Sequence, residues 1–152
     1  MTPTPRSFGD VAINAVTEET FNIVNGGVID ATNVSGGGLI SPFRFKGGGF
    51  PGAGGDCLPT IPGGGNCNIV VEFAPLQTGS YNDTIEIYYF NGVGTTQLDN
   101  TITGEGKTPA LITINQTDPF NFGTLVNSNT GTQTFTLTNM GCLLYTSDAA
   151  DE

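Results

Sequence analysis

Between residues 67 and 89 the chain reads CNIVVEFAPLQTGSYNDTIEIYY, and apolar side chains recur at every second position. Cys67, Ile69, Val71 and Phe73 fall on one face, with Asn68, Val70, Glu72 and Ala74 on the other. After Pro75 and Gly79 the alternation resumes, and Tyr81, Asp83, Ile85, Ile87 and Tyr89 share a face. A period of two over successive runs predicts half-buried antiparallel strands joined by a corner. Glu72 and Glu86 lie opposite the apolar faces, which predicts that both are exposed.

The flanking sequence extends the all-β pattern. Phe8 to Val11 reads as a short edge segment. Residues 19–25, ETFNIVN, alternate Phe21, Ile23 and Asn25 against Thr20, Asn22 and Val24 and end in the turn signal Asn25-Gly26-Gly27. Further strands are expected over 28–34, over 39–45 with Phe43 and Phe45 on one face, over 95–104 with Leu98 and Ile102 inward, and over 110–114. Residues 47–66, GGGFPGAGGDCLPTIPGGGN, predict an irregular loop. Gly47, Gly49 and Gly52 match a dinucleotide-loop spacing, but that motif requires a following helix, which Pro51 and the glycines forbid.

The pattern then starts again. Phe122-Gly123, Phe135, Leu137, Asn139 and Gly141 follow Phe8-Gly9, Phe21, Ile23, Asn25 and Gly27 at one constant offset of 114 (122 − 8, 135 − 21, 139 − 25, 141 − 27). A fixed offset predicts tandem domains. The expected order is a linker at 1–7, a first repeat at 8–108 and the start of a second, incomplete repeat at 109–141. The strand at 110–114 maps to positions −4 to 0 (110 − 114, 114 − 114), so the first repeat is expected to lack its opening strand and to expose a sheet edge. Residues 142–152, CLLYTSDAADE, are similar to a translated transposase sequencing adapter and are read as non-native. The chain is thus expected to be a piece of a longer protein whose export signal lies outside it.

Formal charge is 4 − 14 = −10, or 4 − 11 = −7 without that tail. The balance disfavours nucleic acid and anionic membrane surfaces, which call for clustered Lys and Arg. No apolar run approaches the ~18 residues of a membrane span. No His occurs, which excludes Ser-His and Cys-His nucleophile systems within these residues. Neither catalytic residues nor a metal site nor a cofactor is expected, and the chain is read as not an enzyme.

Cys57 and Cys67 bracket the loop LPTIPGGGN. As metal ligands they are incomplete, since two thiolates without His or C-x-x-C do not close a tetrahedral site. A disulfide tying the loop to a core strand is favoured, and it implies an oxidising compartment. Two binding alternatives stand beside a structural role. Asp83, Asp99 and Asp118 could offer calcium ligands, although no D-x-D-x-D-G loop is present. Phe43, Phe45, Phe50, Tyr88, Tyr89 and Phe90 could form a carbohydrate platform, although core packing explains such residues more simply. The sequons at Asn33, Asn82 and Asn115 carry little weight in an Asn/Thr-rich chain.

One constellation remains: Phe8-Gly9, Phe21-x-Ile23-x-Asn25-x-Gly27, Cys57, Cys67-x-Ile69-x-Val71-x-Phe73-x-Pro75-x-x-x-Gly79-x-Tyr81, and Gly104-x-Gly106. It resembles the choice-of-anchor D domains of bacterial surface proteins. These are similar in turn to the ASPM–SPD-2–Hydin and major-sperm-protein-like immunoglobulin folds. The glycine-rich insert at 47–55 departs from the pattern. The resemblance implies an all-β, immunoglobulin-like antiparallel β-sandwich in a tandem array. It also implies a structural or adhesive role in a secreted or cell-surface bacterial protein, with neighbouring repeats as partners and other surface proteins or glycans as further ones. The alternatives are a carbohydrate- or calcium-binding module and an intracellular scaffold like the ciliary and centrosomal relatives.

Overall fold

The computed structural model describes residues 1, 2 and 5–141. The adapter-like tail, residues 142–152, lies outside them. The chain divides into two compact units, Met1–Lys107 and Thr108–Glu152.

Among the described residues the first unit holds eight strands: β1 (Arg6–Ala12), β2 (Thr17–Val24), β3 (Ala31–Gly37), β4 (Phe43–Phe45), β5 (Thr60–Ile61), β6 (Asn66–Phe73), β7 (Gly79–Phe90) and β8 (Thr95–Lys107). One sheet has the order β1-β8-β7-β3-β5 and the other β2-β6-β4. Their inward side chains meet in one buried cluster. Phe21, Phe43, Ile69, Val71 and Phe73 come from the smaller sheet, and Phe8, Ile85, Ile87 and Ile102 from the larger. This is an immunoglobulin-like β-sandwich. The alternating positions of β6 and β7 supply the core because a strand sends successive side chains to opposite faces. Each aliphatic or aromatic side chain so buried contributes about 1.5–3 kcal/mol.

Three details differ from the sequence reading. First, the sandwich is not wholly antiparallel, and residues 1–7 are not all linker. Arg6 and Ser7 belong to β1, which runs parallel to β8 from Arg6↔Ile102 to Ala12↔Lys107. The register shifts between Ser7 and Asp10, where Gly9 adopts a φ of 70° and gives its N–H to Ser7 Oγ at 3.1 Å. That bulge re-aims the strand so that Phe8 enters the core, and a left-handed φ is easiest for glycine.

Second, Glu72 is largely buried rather than exposed. β6 is the central strand of its sheet, and Arg44 on β4 lies directly opposite Glu72. Arg44 Nε donates to Glu72 Oε2 at 2.7 Å, so the carboxylate leaves water with a partner.

Third, the glycine-rich segment is ordered. It opens with a 3-10 turn at Lys46–Gly48 and contains β5, which pairs with β3. Where β4 stops, the segment continues along the edge of β6. Val70 donates its N–H to the Pro51 carbonyl at 2.9 Å, and Asp56 to the Asn68 carbonyl at 3.0 Å. Gly52 lies so close that a Cβ there would sit 2.2 Å from the Val70 carbonyl oxygen. The glycines thus serve close backbone approach rather than disorder.

In the second unit β9 (Ile112–Ile114) pairs antiparallel with β10 (Leu137–Asn139). Phe120 packs edge-on against Phe122 and Phe135, while Leu111, Ile112, Leu137 and Met140 are exposed.

Candidate functional site

Three features of the first unit concentrate specific geometry: the corner after β6, the tethered loop, and an open end of the sandwich.

At the corner, Pro75 is fully buried and Gly79 adopts a φ of 140°. Tyr81 at the start of β7 donates its hydroxyl to the Gln77 carbonyl at 3.0 Å. A tyrosine bonding back to the preceding turn is the tyrosine corner of immunoglobulin-like sandwiches. The Tyr81 ring also packs edge-on against Phe73, with centroids 5.7 Å apart. Removing the hydroxyl with Tyr81→Phe keeps that packing and should cost about 0.5–1.5 kcal/mol in urea unfolding.

The same corner explains the Gly104-x-Gly106 pair on β8. A Cβ at Gly104 would lie 2.7 Å from the Phe73 ring, and one at Gly106 would lie 2.2 Å from the Gln77 carbonyl oxygen. The obstacle at Gly106 is backbone and cannot rotate away. Gly106→Ala should therefore destabilise the unit by about 1–3 kcal/mol, read as a shifted urea midpoint, because the corner must move.

Asn25 performs the corresponding service at the end of β2. Its Nδ2 donates to the Ile29 carbonyl at 2.8 Å and to the Ile61 carbonyl at 3.0 Å, while its Oδ1 accepts the Gly27 N–H at 3.1 Å. One side chain thus ties the turn after β2 to β5. Phe21, two turns of the alternation earlier, is fully buried.

Cys57 and Cys67 form a disulfide, with Cα atoms 4.9 Å apart. It joins the glycine-rich segment to the first core position of β6.

The proposed ligand sets do not assemble. Among the described residues no three His, Cys, Asp or Glu side chains gather as a metal site would require. Asp83 is engaged by the Ile40 and Thr84 N–H groups at 2.8 Å each. Asp99 lies opposite Glu86 and accepts from Gln97 at 2.5 Å. Asp118 belongs to the other unit. Of the aromatic set, Phe43 and Phe45 are core residues and Phe50 sits edge-on against Phe45, while Tyr88, Tyr89 and Phe90 stay half-buried on β7. Tyr88 donates to the Glu86 carboxylate, and this hydrogen bond holds the phenol above its ordinary pKa, with burial and the charges of Glu86 and Asp99 adding to the effect.

Periodicity alone misses an apolar cleft of ≈ 420 Å³ at one end of the sandwich. It is lined by Ile23 and Val24 at the end of β2, the turn that follows at 25–29, Ile61 of β5, Ile87 and Tyr89 of β7, and Leu98 of β8.

No family model matches the sequence, and no curated protein matches it. Solved structures do. The chain is similar to the ASH/PapD-like domain 7 of human CEP192, at 16% identity and a TM-score of 0.48, covering 67% of this chain and 81% of that one. It is similar to the VesB protease of Vibrio cholerae at 15% identity and a TM-score of 0.50, and to the secreted serine protease VesC of the same organism at 11% and 0.49. Those matches cover 66% and 69% of this chain but only 30% and 22% of the proteases. The VesB match corrects the expectation that the chain is not an enzyme. That expectation rested on the absence of His and on a resemblance that implies no catalytic residues, yet a fold of this kind occurs within a protease, so the fold does not set a chain apart from enzymes.

Proposed function

We propose that Met1–Lys107 is a structural or adhesive repeat of the choice-of-anchor D type, working in a secreted or cell-surface bacterial protein. Its task is to space, stiffen and present the other parts of that protein, catalytic domains included where such parts exist. The Cys57–Cys67 disulfide carries this reading. It locks a loop onto a core strand, and such bonds persist in oxidising compartments.

Repetition supports it as well. Asn121 Oδ1 accepts the Gly123 N–H at 2.8 Å, as Ser7 Oγ accepts that of Gly9 at 3.1 Å, and both glycines have a left-handed φ (73° and 70°). Asn139 Oδ1 accepts the Gly141 N–H at 3.0 Å, as Asn25 Oδ1 accepts that of Gly27 at 3.1 Å. Each pair of turns is separated by the same 114 positions.

The test is labelling of intact source cells with a membrane-impermeant amine reagent, followed by a calcium and glycan titration of the purified protein. The proposal expects Lys46 and Lys107 to be labelled and no saturable heat. Labelling only after lysis would overturn it in favour of an intracellular scaffold. A saturable heat would replace the spacer by a binding module.

A further inference from the structure

The dipeptide Asn-Gly occurs twice in the chain, at Asn25-Gly26 and at Asn91-Gly92, both in turns of the first unit. Such a pair carries its own latent chemistry. The backbone nitrogen that follows the asparagine can reach the side-chain amide carbon, and glycine has no Cβ to crowd the approach. The structure treats the two asparagines differently. Asn25 is half-buried, and its amide is held at both ends. Nδ2 donates to the carbonyls of Ile29, Ile61 and Pro62 at 2.8, 3.0 and 3.2 Å, and Oδ1 accepts the Gly27 N–H at 3.1 Å. Its main chain is fixed as well: its N–H donates to the Gly65 carbonyl at 2.9 Å, and its carbonyl accepts the Gly64 N–H at 3.0 Å.

Asn91 stands at the tip of the β7–β8 hairpin, just beyond the paired residues Phe90 and Thr95, and is exposed. Its Oδ1 accepts two backbone N–H groups, those of Val93 and Gly94, at 3.0 Å each. Among the described residues no acceptor holds its Nδ2. Two N–H groups aimed at one carbonyl oxygen draw electrons from Cγ and stabilise negative charge that develops on Oδ1, as an oxyanion hole does. The same side chain that is tied down at Asn25 is therefore activated at Asn91, with its leaving nitrogen open to water.

We propose that Asn91 is a site of spontaneous covalent modification, converting with time to aspartate and isoaspartate, and that Asn25 is protected from the same reaction. The backbone nitrogen of Gly92 attacks Asn91 Cγ. A bond forms between them, the Cγ–Nδ2 bond breaks, and the Gly92 N–H proton leaves with Nδ2 as ammonia. Negative charge passes through Oδ1, where the N–H groups of Val93 and Gly94 stabilise it. Water then opens the resulting cyclic imide. Breaking the bond from the Gly92 nitrogen to Cγ gives aspartate, and breaking its bond to the main-chain carbonyl carbon of residue 91 gives isoaspartate. Either product sets a new carboxylate beside the apolar cleft that Asn91 helps to line. Asn25 cannot follow this course until its bonds to three carbonyls break.

The test ages the full, unaltered chain in mildly alkaline buffer and follows both sites by peptide mass mapping, with isoaspartate read by enzymatic methylation. Asn91 should convert at least about tenfold faster than Asn25, because ring closure at Asn25 must first break its side-chain hydrogen bonds. Two free peptides, NIVNGGVI from 22–29 and YFNGVGTT from 89–96, give the rates without the fold. Asn25 should react about tenfold faster in its peptide than in the folded chain. Asn91 should react in the folded chain at least as fast as in its peptide. Equal rates at the two sites of the folded chain, faster conversion at Asn25, or slower conversion of Asn91 than of its peptide would overturn the proposal.

Discussion

Phe73→Ala should lower the stability of the first unit by about 3–5 kcal/mol, the upper range for removing a buried aromatic ring. Phe73 is fully buried at the centre of an aromatic group, with ring centroids 4.7 Å from Phe43, 5.8 Å from Phe8 and 5.7 Å from Tyr81. Those partners come from three other strands, β4, β1 and β7. Beneath the ring lies Gly104, which has no side chain to move into the space. The cavity therefore stays open, and the full cost of lost transfer and lost dispersion is felt. Urea unfolding should show a lower midpoint with an unchanged slope. A loss below about 1 kcal/mol would mean that the site collapses and that Phe73 is not the keystone of the core.

Loss of the disulfide should have the next largest effect. The bond closes a loop with a sequence separation of 10 residues. The chain-entropy model assigns a loop of this size about 3 kcal/mol. The double variant Cys57→Ser/Cys67→Ser is the cleaner measurement, because a single variant leaves a free thiol. The loop keeps other ties to β6, through Pro51 with Val70 and Asp56 with Asn68, so the native fold should survive with a lower melting temperature. Asn68 also donates its N–H to Asp56 Oδ1 at 2.5 Å, next to the bond. An unchanged melting temperature would show that these hydrogen bonds already confine the loop in the unfolded ensemble.

Periodicity made the sandwich legible because its core strands are half-buried and alternate cleanly. Ile69, Val71, Ile85 and Ile87 are fully buried, as their spacing predicts. Glu72 was misjudged because period-two reasoning knows faces but not neighbours: in a central strand the outward face can also be covered, here with Arg44 alongside. The parallel pairing of β1 was invisible because direction follows from which sheet a segment joins, not from its own residues. The glycine-rich loop looked structureless because its order resides in backbone bonds to β6, which leave no side-chain pattern. Gly104 and Gly106 could be marked in the sequence, but their purpose needed the positions of Phe73 and Gln77. The buried Asn100 between Leu98 and Ile102 breaks the apolar pattern of β8 and was likewise not foreseen. The open cleft leaves no mark in the periodicity, since its lining joins the ends of β2, β7 and β8 with the turn after β2.

The central claim is that this sandwich is a disulfide-locked repeat of an exported protein. The most direct measurement is peptide mass mapping of the protein from its native source, alkylated before any reduction. The account predicts a linked Cys57–Cys67 peptide pair with no alkyl label on either sulfur. Quantitative alkylation of both cysteines would contradict it, placing the chain in a reducing compartment.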